Sequence, residues 1–109
     1  MKYPTEVTID PEWPIVYVRY LPDDVEHDGS VALLRDADGV VRDHAFCDVD
    51  YRWDGVRIDV TSDDEIIGFE IVHVDNAEAV AMAREYAAAD GLAFPNDLRA
   101  AAAARTPAA

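Results

Sequence analysis

The residues best suited to hold a metal are His44 and Cys47, three apart in His44-Ala45-Phe46-Cys47, with acids on both sides. Zinc asks for four N, S or O ligands in a tetrahedron, usually supplied as paired short spacings. Only one such pair is present, and His27 and His73 lie far off along the chain. On a strand, positions three apart point to opposite faces. A surface histidine near a buried small cysteine is the commoner reading, and no metal is expected. Asp36-x-Asp38-Gly39 and Asp48-x-Asp50 invite a calcium reading, but an EF-hand loop needs glycine at its sixth position and glutamate at its twelfth. Those positions hold Val41 and Cys47 counted from Asp36, and Trp53 and Asp59 counted from Asp48. Both segments read as hairpin turns and solvated faces.

Glu70 sits inside an apolar stretch, Ile66 to Val74. A half-buried carboxylate can have a raised pKa and act as a general acid or base. An ion pair with a cross-strand arginine, Arg19 or Arg57, is the more economical role. There is no Ser-His-Asp pattern, Gly-rich phosphate loop or His-Glu-x-x-His. No catalytic residue and no cofactor is expected, which favours a non-enzymatic role over an enzyme. The aromatics Tyr17, Tyr20, Tyr51 and Trp53 suit an exposed sheet face, since Tyr and Trp are enriched at interface hot spots. The candidate binding residues are therefore Tyr17, Arg19, Tyr51, Trp53 and Glu70.

Composition bounds the partners. The formal charge is -14, from 23 acids against 9 bases, only one of them a lysine. Direct binding to nucleic acid needs a cationic surface and is not expected. The partners such charge could serve are a basic protein or metal cations; a homo-oligomer is a separate expectation that the charge does not supply. A genome-wide bias towards Asp and Ala, or a high-salt cytoplasm, would give the same composition without any such partner. No apolar run approaches the ~20 residues needed to cross a bilayer, and the first ten residues carry no apolar leader. A cytoplasmic protein without membrane contact is expected. Cys47 is the single cysteine, so no intrachain disulfide can form.

A chain of 109 residues makes one domain. Residues 1–95 are expected to form it, with 96–109 a short helix and a frayed Ala-rich tail. Val7 to Ile9 reads as a first strand. Ile15 to Leu21 is β-branched and aromatic, so it reads as a second strand, with Ile15, Tyr17, Arg19 and Leu21 on the wetter face. Ser30 to Arg35, a turn at Asp36–Gly39, and a long strand from Val40 to Trp53 follow. Asp54-Gly55 is a hairpin signal. Val56, Ile58 and Val60 alternate with Arg57, Asp59 and Thr61 as a half-buried strand should. Ile66 to Val74 returns as a strand, with Ile67, Phe69 and Ile71 on one face and Gly68 and Glu70 on the other. Gly68 allows a bulge or a close backbone approach.

Asp75 or Asn76 can then cap a helix to about Asp90, with Glu78 placed as in a capping box, and Gly91 as the stop. Val80, Ala83 and Ala87 make its packing stripe. Asn96 can cap a second short helix, with Asp97 at its positive end. The fold class is α+β: an antiparallel β-meander of five or six strands with one or two C-terminal helices packed on it.

Two segments resemble the small bacterial proteins of domain-of-unknown-function family 2283: Asp10-Pro11-Glu12 with Val16-Tyr17-Val18-Arg19-Tyr20, and Ile58-Asp59-Val60 with Asp63-Asp64 and Gly68-Phe69-Glu70-Ile71. The resemblance covers about half the chain, with Trp13-Pro14 and the longer stretch Pro22 to Trp53 departing from the family's pattern. It implies no activity. Some members resemble partners encoded beside small toxins, which implies an antitoxin- or immunity-like interaction module. The alternative is a small-ligand binder or enzyme in which Glu70, His44 or His73 converge on a sheet–helix pocket. A cation-dependent binder using the acidic turns is the third reading.

Overall fold

Apolar and polar residues alternate along most of the strands, and that alternation decides which way each one faces. The computed structural model describes residues 1–22, 24–45 and 55–104. Six strands, β1 (Glu6–Ile9), β2 (Val16–Arg19), β3 (Gly29–Arg35), β4 (Val41–His44), β5 (Val56–Val60) and β6 (Ile66–Ile71), precede the helices α1 (Ala77–Ala89) and α2 (Leu98–Ala104). The fold is α+β, a six-stranded antiparallel sheet followed by two C-terminal helices.

The strand order is β1-β2-β6-β5-β3-β4. Neighbours in sequence pair within β1–β2, β3–β4 and β5–β6, while β2 meets β6 and β3 meets β5 across longer connections. β4 and β5 lie on opposite sides of β3 and are both antiparallel to it, so they run parallel to each other. The Asp54-Gly55 signal therefore does not join β4 to β5 as a two-stranded hairpin. Asp54 itself, like Phe46 to Trp53 of the expected long strand, lies outside the described residues.

The core lies between the sheet and the helices. Val16, Val18, Leu33, Val56, Ile58, Phe69 and Ile71 have no exposed surface. The registers Val18↔Phe69↔Ile58 and Val16↔Ile71↔Val56 put these side chains in cross-strand rows on one face. Phe69 gathers three aromatic rings edge-on: Tyr20 at 5.9 Å, Tyr86 at 6.4 Å and Phe94 at 6.0 Å between centroids. Edge-to-face contacts suit the ring quadrupoles. α1 approaches closely because Ala79, Ala83 and Ala87 face the sheet, with Met82 also buried.

Local details differ from the sequence expectation in four places. β6 stops at Ile71, where the backbone leaves the ladder and Val74 donates to the Pro14 carbonyl. The register slips between Asp59 and Val60, so Ile67 is the extra residue of a bulge, and Ile66 joins the core cluster alongside Phe69. Asn76 caps α1 by accepting from the Ala79 amide, but Glu78 reaches Arg35 at 2.9 Å instead of closing a capping box. Asp97, not Asn96, caps α2, accepting from the Ala100 amide.

The Tyr20 hydroxyl donates to the Ala93 carbonyl at 2.7 Å, tying the segment between the helices to the sheet. Leu98 of α2 is buried in the same core. Replacing Phe69 by alanine leaves three rings without their common partner and opens a cavity. The expected cost is about 3–5 kcal/mol, read as a lower urea midpoint with the slope unchanged.

Candidate functional site

Both helices pack on one side of the sheet, and the opposite side carries the polar residues of the central strands. Tyr17 and Arg19 project there from β2, Gly68 and Glu70 from β6, Arg57 and Asp59 from β5, and Ser30 from β3. Register makes them neighbours: Tyr17↔Glu70↔Arg57 form one row, and Arg19↔Gly68↔Asp59↔Ser30 the next.

Asp59 is the centre. Its side chain is only 13% exposed. The Tyr17 hydroxyl donates to Oδ2 at 2.8 Å and the Ser30 hydroxyl to Oδ1 at 2.7 Å. The Arg57 Nε stands 3.4 Å from Oδ1, within ion-pair reach but without hydrogen-bond geometry. The other end of Arg57 donates to Glu70 Oε1 at 3.0 Å. A carboxylate largely withdrawn from water needs pairing and hydrogen bonds, and here two hydroxyls and a guanidinium supply them. The Glu70–Arg57 pair is the cross-strand ion pair the sequence suggested, with Arg57 rather than Arg19 as the partner. Arg19 instead lies over the Tyr17 ring, 5.2 Å from its centroid, in a cation–π contact.

Gly68 makes this packing possible. A Cβ at that position would sit 2.5 Å from Tyr17 Cε1 and 2.7 Å from the Val18 carbonyl oxygen. The Tyr17 ring thus lies directly on the β6 backbone, which fixes the direction of its hydroxyl towards Asp59.

His27, Ser30 and Asp59 together have the composition of a nucleophilic triad, which no sequence pattern revealed. The geometry is not that of a relay. A serine nucleophile must give its proton to one imidazole nitrogen while the carboxylate holds the other. Here the Ser30 hydroxyl donates its hydrogen bond to Asp59, and the same His27 Nε2 faces both Ser30 Oγ at 3.0 Å and Asp59 Oδ1 at 3.4 Å. The arrangement positions groups and does not activate a nucleophile.

Of the sequence candidates, Tyr17, Arg19 and Glu70 come together on this face, and Tyr51 and Trp53 lie outside the described residues. Asp59, Ser30, Arg57 and His27 complete it. Arg57 and Asp59 were legible as the polar positions of β5. His27 carried no signal, because it reaches the face only through the loop before β3.

Glu70, His44 and His73 do not converge. Glu70 and His44 lie in one cross-strand row with β5 and β3 between them, and His73 is exposed beyond the end of β6. His44 pairs with Asp36 at 3.0 Å. Arg42 grips Asp36 and Asp38 and holds both carboxyls below their ordinary range. This turn therefore spends its acids on its own arginine. No group of three or more metal-binding side chains occurs among the described residues; Cys47, Asp48 and Asp50 fall outside them. No helix among the described residues is long and apolar enough to cross a membrane. Comparison with protein-family models, curated proteins and solved structures yields no match.

Two outcomes are expected. Gly68→Ala forces the Tyr17 ring or the β2 backbone to move. It should cost about 1–3 kcal/mol in denaturant unfolding, with loss of the slow hydrogen exchange that the β2–β6 amides are expected to show.

The second concerns alkaline pH. Burial raises the Tyr17 phenol above its ordinary range, helped by the Asp59 carboxylate. Burial raises Tyr20 as well. A phenol with a raised folded pKa contributes stability that is fully present below its unfolded pKa, about 10. That contribution is lost as pH rises above it, because the unfolded chain releases the proton first. Unfolding free energy should therefore fall above about pH 10, and more shallowly in the Tyr17→Phe/Tyr20→Phe variant. A pH–stability profile by chemical denaturation checks this.

Proposed function

We propose that the protein is a non-enzymatic, cytoplasmic interaction module that docks a basic partner protein on the helix-free face of its sheet. The observation that carries this reading is the face itself. Tyr17, Arg19, Arg57, Asp59 and Glu70 are adjacent there, and Tyr17, Asp59, Arg57 and Glu70 are held by neighbours at fixed distances. Pre-ordered aromatic and charged side chains bind at lower entropic cost than mobile ones, and Tyr and Arg are the residue types that anchor interfaces. The face carries charges of both signs, so the chain's excess of acids acts at longer range. A net charge of -14 steers a cationic partner and raises its association rate. The antitoxin- or immunity-like form of this role draws on the resemblance of the Tyr17 and Glu70 strands to domain-of-unknown-function family 2283.

Purification from the native host with light scattering, at low and at moderate salt, tests the reading. A heavier species carrying a basic protein that leaves as salt rises is the expected result. A bare chain at physiological salt would sink it. Glu70→Lys should abolish co-purification, whereas Glu12→Lys, with the same net charge at an exposed loop position, should retain it. Equal loss in both would mean that bulk charge, not this face, makes the contact.

A further inference from the structure

Among the described residues, the junction of α1 and α2 holds a cation without a counterion. Arg84 of α1 is partly buried, and its guanidinium lies 5.5 Å from the centroid of the Phe94 ring. Its Nη2 donates to the main-chain carbonyls of Pro95 at 3.1 Å and Asn96 at 3.5 Å. Its Nε is buried and has no acceptor. Arg35, Arg42, Arg57 and Arg99 each meet at least one carboxylate. Among the described residues no carboxylate forms an ion pair with Arg84, although the chain has 23 acids. Sequestering a charge from water is costly unless an opposite charge and full hydrogen bonding compensate it.

Arg84 lines a cavity of about 250 Å3 between the two helices. Val74, Val80 and Leu98 supply its apolar wall, and Arg99 stands on its lining as a second guanidinium. Arg99 is tied to Asp75 at 3.1 Å with both side chains more than half exposed, so that pair holds it weakly. Asp97 also lines the cavity, with its Oδ1 engaged by the Ala100 amide.

We propose that this cavity binds a small organic monocarboxylate with an apolar stem. The carboxylate is taken by Arg84 and Arg99, whose planar forks match its two oxygens. The stem lies against Val74, Val80 and Leu98. The space equals that of about eight liquid waters, which suits a ligand of amino-acid size or smaller. Phosphate fits less well. It carries more charge, has no apolar part, and would meet Asp75, Asp97 and the negative field of the whole chain. This site is separate from the helix-free face and does not depend on the partner reading.

Titration of the intact protein with sodium butyrate, followed by amide chemical shifts and calorimetry, tests the proposal, with inorganic phosphate as the comparison. The expected result is saturable binding with Kd on the order of 1 mM, with shifts centred on Val74, Val80, Arg84 and Leu98. Phosphate should produce no saturable shift there. Arg84→Lys keeps the charge but loses the fork, and should weaken butyrate binding about tenfold. Arg99→Gln, at the exposed rim where folding is not at stake, should weaken it severalfold. Arg42→Gln and Glu12→Lys should leave it unchanged. Absence of a saturable shift at these residues in the unaltered protein would overturn the proposal, as would phosphate binding as well as butyrate. Butyrate affinity indifferent to Arg99→Gln would do the same.

Discussion

The structure hangs on the two-sidedness of β6. This strand is paired on both edges, to β2 and to β5, so each of its side chains is committed to one face. Phe69 turns inward and meets Tyr20, Tyr86 and Phe94, which come from the β2 end, α1 and the α1–α2 link. One fully buried ring therefore joins the sheet to α1 and to the connecting segment. The Tyr20 hydroxyl adds a directional tie, because its bond to the Ala93 carbonyl sets where the chain turns towards α2. Burial supplies the drive, and the single hydroxyl bond supplies the register.

The residues on either side of Phe69 organise the opposite face. Gly68 removes the side chain that would push Tyr17 away, and Glu70 holds Arg57, which also stands beside Asp59. The polar face is thus built as one network. Asp59 accepts from two hydroxyls on two different strands, so β2 and β3 are linked through β5 by side chains as well as by the backbone ladder. In such a network the members depend on one another, and removing one leaves a buried lone pair unsatisfied. The network holds each of these side chains in one position. It also explains why His27, Ser30 and Asp59 are not arranged as a nucleophilic relay, since the carboxylate already accepts the hydrogen bond of the hydroxyl.

Most of the elements can be read from local chemistry. The alternation of Val56, Ile58 and Val60 with Arg57 and Asp59 marks β5 and its inward side without reference to anything distant. The Asp36–Gly39 turn is equally local, with Gly39 at φ 84° and Arg42 closing on both aspartates. Capping is less legible. Asn76 and Asp97 each stand beside another residue able to cap, and the choice depends on where the chain leaves the preceding segment. Glu78 has capping-box spacing only from Asp75; with Asn76 as the cap it falls at the second helical position and pairs with Arg35.

The amino-acid sequence by itself determined the α+β class, the inward faces of β2 and β5, the start and stop of α1, and the prominence of Tyr17, Arg19 and Glu70. These follow from period-two alternation, from glycine at positive φ and from side chains that satisfy helix ends, all of which act within a few residues. Tertiary structure alone decided that β3 lies between β4 and β5, that β6 carries a bulge at Ile67, and that Arg57 rather than Arg19 takes Glu70. It also decided that Ser30 and His27 arrive at Asp59, and that Arg84 lines a cavity with no carboxylate paired to it among the described residues. Each of these depends on which strands and helices become neighbours. That choice is made by the total burial of Phe69 and its surroundings, and no local spacing encodes it.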